Sequence, residues 1–228
     1  MKHLCIIFLH HRDDELTRFH AQLLRKFNSS AEFIALTFSE GFPTALRYPL
    51  KLPSSHAEWG NADRLVYDWF QSEQRVTAER YVIVEYDTLC LMPLDEFYGA
   101  AWSQPVSAAE VKTRDNDPQW HWFQGLPYPS VYPLLGLVPM SCVLLSYLAM
   151  QAVSKLSRNP FFNPLCSECR LGTLALLSGF YPSRIRPDAS DFISWLPRKP
   201  TKAGLWHTVK SKIVSEKAFR SIGAGRFS

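Results

Sequence analysis

Glycine is scarce in this chain, ten of 228 residues, and proline adds only sixteen, which excludes collagen-like and low-complexity classes. No Gly-x-Ser-x-Gly elbow and no P-loop occurs. Gly223-Ala224-Gly225 follows no strand pattern and opens no helix, so it does not read as a phosphate loop. The five cysteines are an odd count, and three lie inside apolar runs. A disulfide framework does not suit a chain of this size, so reduced thiols and a cytoplasmic setting are expected. Cys166-x-x-Cys169 has no second pair at zinc spacing and no His close by. Charge of one sign is also lacking: a net +4 is too small to argue for nucleic acid as a partner. Long apolar runs are absent as well. Residues 4–9 are apolar, but Arg12, Asp13 and Asp14 follow at once, so the run is too short for a signal segment. No Asp, Glu, Lys or Arg occurs between Asp117 and Lys155, yet Pro133, Gly136 and Pro139 interrupt that stretch. It reads as a buried strand, a turn and a buried helix rather than a membrane span.

What is present is a chain able to build a core, with 46% apolar, 14% aromatic and 20% charged residues. Residues 4–9 read as a buried strand, followed by a helix carrying Leu16, Phe19, Leu23, Leu24 and Phe27 at helical spacing. A second strand is expected over 32–38, a loop over 39–60, a helix around Leu65, Val66, Trp69 and Phe70, and a strand over 81–84. Strands alternating with helices predict an α/β fold, a mostly parallel central sheet flanked by helices. The second half is less regular. Residues 101–130 read as a loop-rich insert or lid containing Trp120-His121-Trp122-Phe123, and helices are expected near 141–157 and 167–179.

In parallel sheets, ligands bind beyond the carboxyl ends of the strands. Two polar clusters fall there: His10-His11-Arg12-Asp13-Asp14 and Glu85-Tyr86-Asp87. The second follows the apolar run Tyr81-Val82-Ile83-Val84, and two carboxylates separated by one residue can reach one hard cation such as Mg²⁺ or Mn²⁺. An isolated acid-x-acid triplet is also a common solvated strand end.

An apolar strand feeding an acid-x-Asp triplet resembles the DxD motif of GT-A-type glycosyltransferases. Three other stretches are similar in order: the strand ending at His10–Asp14, the helix start Cys166-Ser167-Glu168-Cys169-Arg170-Leu171-Gly172-Thr173, and Leu205-Trp206-His207-Thr208-Val209-Lys210. The resemblance spans roughly residues 4–210 and departs from the family in having Glu85 where Asp is usual. It implies a single GT-A-like domain over 1–228, with a donor-nucleotide half (1–100), an acceptor half (101–210) and a basic tail (211–228). It implies Mn²⁺ or Mg²⁺ on Asp87, Glu85 and His207, with Lys210 near the diphosphate of a nucleotide-sugar donor. It also implies nucleotide contacts from His10, Arg12 and Asp63, and Glu168 as the base for a carbohydrate or other hydroxyl acceptor. Alone, His207 reads as an ordinary histidine, Glu168 as a first-turn acid favoured by the helix dipole, and Asp63 as a helix cap. From Arg198 onward, eight cations face one acid, Glu216. Such a stretch suits a tail closing over a diphosphate, a solvated tail, or peripheral contact with an anionic membrane. Alternatives to the transferase are a non-catalytic relative acting as a binding or scaffold protein, and a sugar-nucleotide nucleotidyltransferase. The lack of any Gly in residues 10–15 counts against the latter.

Overall fold

The computed structural model describes residues 2–37, 46–47, 58–129, 131–194 and 196–223. Its strands are β1 (Lys2–Leu9), β2 (Glu32–Thr37), β3 (Leu46–Arg47), β4 (Ala78–Glu85), β5 (Leu89–Cys90), β6 (Val106–Ala108), β7 (Glu110–Thr113), β8 (Leu135–Val138), β9 (Val143–Ser146), β10 (Ser183–Arg184) and β11 (Leu205–Trp206). Its α-helices are α1 (Glu15–Phe27), α2 (Ala62–Gln71), α3 (Leu94–Tyr98), α4 (Tyr147–Leu156), α5 (Ser167–Leu177), α6 (Ala189–Phe192) and α7 (Lys212–Ala218).

The expected α/β architecture is present. A seven-stranded sheet runs in the order β10-β6-β9-β4-β1-β2-β3, with β9 antiparallel to its two neighbours and every other pairing parallel. The chain moves outward from β1 to β2 and β3, then returns to place β4 on the other side of β1. The carboxyl ends of β1 and β4 therefore meet where the strand order reverses, the place where open α/β sheets bind ligands. Register fixes the alignment: Leu9 lies opposite Glu85, so His10 and His11 leave the sheet level with Tyr86 and Asp87.

Strand alternation divides the core in two. Cys5, Ile7, Leu9, Tyr81 and Ile83 pack with Leu65, Trp69, Met150 and Leu171 of α2, α4 and α5. Leu4, Ile6, Phe8, Val82 and Val84 pack on the other face with Leu23 and Leu24 of α1 and with Phe97, Phe192 and Leu205. Burial of both faces is why β1 and the end of β4 read as unbroken apolar runs. Asp14 starts α1 by accepting from the Thr17 backbone N–H at 2.8 Å, while Arg25 and Lys26 occupy the last turn, where cations favour the helix dipole.

Three expectations are corrected here. The helix expected over 141–157 begins only at Tyr147, because Val143–Ser146 pairs with both β4 and β6. Ser146 ends that strand and caps α4 by accepting from Ala149 N–H at 3.2 Å. Residues 101–130 are not a separate lid, since they supply β6 to the main sheet and bury Trp120 and Phe123 in the core. Gly136 makes room for that indole, as a Cβ there would lie 2.2 Å from Trp120. The loop expected over 39–60 lies largely outside the described residues, but Leu46–Arg47 pairs with β2 and Glu58–Asn61 makes a 3₁₀ turn. Among the described residues no helix is long and apolar enough to cross a membrane.

The start of α5 is fixed by a buried polar network. Arg170 and Asp63 are both fully buried, with Nη1 and Oδ1 2.8 Å apart. The same guanidinium donates to Asn61 Oδ1 at 3.1 Å, the Phe162 carbonyl at 3.2 Å and the Leu165 carbonyl. Gly172 lets α5 lie directly on β8, as a Cβ would come within 2.3 Å of the Leu135 carbonyl oxygen. Removing one partner of a buried ion pair strands the other charge, so Asp63→Ala is expected to lose about 3–5 kcal/mol in urea unfolding. A loss below about 1 kcal/mol, as for an exposed pair, would contradict this sealed placement.

Candidate metal centre and cleft

β4 delivers Glu85 as its last residue, and a tight turn closed by Thr88 N–H to the Glu85 carbonyl (3.0 Å) presents Asp87 beside it. Ser141 steadies the turn: its hydroxyl accepts from Glu85 N–H at 3.1 Å and lies 2.9 Å from the Thr88 hydroxyl. The third member arrives from 120 residues further on. β11 pairs antiparallel with β5, and Val209 N–H donates to the Asp87 carbonyl at 2.8 Å. Between these attachments, His207 Nε2 lies 3.1 Å from Glu85 Oε2 and 3.3 Å from Asp87 Oδ1. Lys210 Nζ stands 3.9 Å from Asp87 Oδ2 and is more than half exposed.

One ligand atom from each of Glu85, Asp87 and His207 falls within 4.8 Å of the others. Oxygen and imidazole donors at this spacing fit a divalent cation. The electrostatics agree. Burial opposes charge on His207, but hydrogen bonds and charge from the two carboxylates win and raise its pKa to about 9. Burial pushes Asp87 upward, yet His207 and Lys210 hold its carboxyl below the usual range. The cluster is built to hold positive charge.

Around it opens a cleft lined by His10, His11, Glu85, Tyr86, Asp87, Met140, Ser167, Glu168, His207, Thr208 and Lys210, with Ala62 and Leu65 beneath. Of the residues expected at the site, His10, Glu85, Asp87, Glu168, His207 and Lys210 share this cleft. His10 is buried, and its Nδ1–H donates to the Arg12 carbonyl at 3.2 Å. Burial lowers the pKa of both His10 and His11. Glu168 is 3% exposed, and burial, with Cys166 and Glu85 nearby, pushes its carboxyl well above the carboxylate range.

Two residues expected to contact nucleotide stand elsewhere. Asp63 is sealed against Arg170 in the interior and does not line the cleft, because α2 turns it inward toward α5. Arg12 lies outside the cleft lining, its guanidinium over the Tyr86 ring at 4.9 Å and 3.5 Å from Asp14. Among the described residues, the lysines and arginines of the basic C-terminal stretch other than Lys210 do not line the cleft. Lys212 pairs with Glu15 and Glu216, and Phe219 packs edge-on against Phe19 and Phe27 of α1. His11, Tyr86, Ser167 and Thr208 were missed as lining residues. Each adjoins a chosen residue in sequence, and adjacency was the signal available.

No family model matches this chain, and no curated protein matches it. Among solved structures, it is similar to the galactosyltransferase LgtC in complex with donor and acceptor sugar analogues. Identity is 9% over 82% of this chain and 74% of that chain, with a TM-score of 0.43. At that level the likeness adds nothing to the geometry.

His20 of α1 ties the acidic turn to α7. It is fully buried, its Nδ1–H donates to the Tyr86 carbonyl at 2.9 Å, and its Nε2 lies 2.8 Å from the Ser215 hydroxyl. The Ser215 hydroxyl also donates to the Ser211 carbonyl at 3.0 Å, so it is the burial of the ring that favours its neutral form. Burial accordingly depresses its pKa to about 4. The unfolded chain takes up this proton near pH 6.5, so the stabilisation is complete above that pH and is lost as pH falls toward 4. The loss is expected to reach roughly 3 kcal/mol, with His20→Gln showing a flatter stability profile between pH 6.5 and 4. Equal slopes in denaturant titrations of the two proteins would contradict this.

Proposed function

We propose that this chain is a sugar transferase that uses a nucleotide-diphosphate donor and a divalent cation, Mn²⁺ or Mg²⁺. The observation that carries this reading is the convergence of Glu85, Asp87 and His207, with Lys210 beside them, in a cleft at the carboxyl ends of β1 and β4. When bound there, a cation supplies charge neutralisation for a diphosphate leaving group. The chain's own residues do the rest. Asp87 and Glu85 provide the carboxylates, His207 the imidazole, and Lys210 a mobile positive charge that can follow the phosphates. His10 and His11 form the wall where β1 ends, in position to contact the nucleotide. In this reading residues 1–100 serve the donor, and 101–210 supply the opposite wall and the acceptor side. The acceptor is a carbohydrate or another hydroxyl compound.

A thermal-shift screen of nucleoside diphosphates with and without Mn²⁺, on the parent and on Asp87→Ala, tests the reading. The expected outcome is a base-selective stabilisation that requires metal and disappears in the variant, about 2.7 kcal/mol at a hundredfold excess over Kd. The absence of any shift in the parent, with or without metal, would overturn it.

A further inference from the structure

Two buried polar atoms on the cleft wall have no hydrogen-bond partner among the described residues: Glu168 Oε1 and Thr208 Oγ1. Both residues are 3% exposed. They come from separate elements, the first turn of α5 and the segment after β11, so one local distortion does not account for both. A buried polar atom left unpaired costs about 1–3 kcal/mol, and folded proteins keep few of them. Two on the walls of one cleft indicate a ligand that completes them.

We propose that Glu168 and Thr208 form a subsite that hydrogen-bonds the hydroxyl groups of the transferred sugar, and that this sugar is uncharged. This inference rests on the donor reading above. Glu168 is held in place by the Met140 backbone N–H and the Trp122 side chain. Arg170, two residues further along α5, anchors that turn to Asp63. Burial, first of all, favours the protonated form of this carboxyl. A protonated carboxyl both donates and accepts, as does the Thr208 hydroxyl, and a sugar hydroxyl complements either. A carboxylated sugar would set a second carboxyl against Glu168 on that wall, whereas a neutral hydroxyl meets no such opposition. The unpaired Oε1 on the cleft wall assigns Glu168 to recognition of the sugar.

Calorimetric titrations compare the Mn²⁺-loaded parent with Glu168→Gln, Glu168→Leu, Thr208→Ser and Thr208→Val. Two probes are used: the nucleoside diphosphate chosen by the screen, and the same nucleotide carrying a neutral hexose. The ratio of the two affinities isolates the sugar. Glu168→Leu and Thr208→Val are expected to bind the bare nucleotide within about threefold of the parent and to lose about 5- to 150-fold of the sugar-dependent gain. Glu168→Gln and Thr208→Ser keep groups that donate and accept, so they should retain that gain. Two results overturn the subsite: a sugar gain that survives Leu and Val, or no sugar gain in the parent. A third is Glu168→Gln that binds donor normally but loses a hundredfold or more in hydrolysis, which would make Glu168 the base. Should Glu168→Leu fail to fold, the near-isosteric Gln and Val variants still decide the question. A parent that ignores the bare nucleotide defeats the donor reading and the subsite with it, a failure visible before any sugar is added.

Discussion

Two carboxylates held at the end of one buried strand repel each other, and the surrounding structure answers that repulsion. With their oxygens within 4.8 Å, Glu85 and Asp87 oppose one another by about 3 kcal/mol at an effective dielectric near 20. The strand cannot relax by moving apart, because β4 is pinned between β1 and β9 and its turn is fastened by Ser141 and Thr88. Compensation has to come from a cation brought to the turn. The short β5–β11 ribbon and the Val209–Asp87 bond do this, carrying His207 to the one position that touches both acids.

The opposite wall meets a different requirement. Glu168 must sit in a nearly dry environment without drifting, so the helix that carries it has to be rigid at its first turn. Arg170 provides this by binding Asp63 and Asn61 on one side and two backbone carbonyls on the other. Gly172 lets the helix rest directly on β8. A buried ion pair contributes little net stability against an apolar replacement. Its effect here is positional, fixing α5 relative to α2 and hence Glu168 relative to the acidic turn.

Much of this was legible in the sequence where local pattern and tertiary environment agree. The runs in β1 and at the end of β4 are apolar because both faces are covered, and the polar residues after them mark the carboxyl ends. His207 could not be placed by its neighbours, since a β-ribbon between distant segments is a tertiary event, and only the family resemblance brought it forward. Asp63 is ambiguous in the sequence because the same residue type suits a ribose contact, a helix cap and a buried ion pair, and the deciding partner, Arg170, lies 107 residues away. Residues 143–146 read as helix because a short apolar run next to a helical one carries no periodicity of its own. Pairing on both sides made them a strand.

The fate of the basic C-terminal stretch follows from the same physics. Among its described residues, Lys212 is held by Glu15 and Glu216, Arg220 lies near Glu216 and Lys202 sits over the Phe192 ring, all away from the cleft lining. What the stretch gives the site is a fixed backbone, tied through Ser215 to His20 and from there to the Tyr86 carbonyl between the two acids. Among the described lysines and arginines of this segment Lys210 is the one that lines the cleft, close enough to feel Asp87 and exposed enough to move. With a proton on His207, one positive charge stands against two carboxylates, and the cluster is left with one negative charge. If a divalent cation takes the place of that proton the cluster becomes neutral, and Lys210 then adds a positive charge. A cleft whose sign depends on its cation in this way is what the proposed diphosphate donor requires.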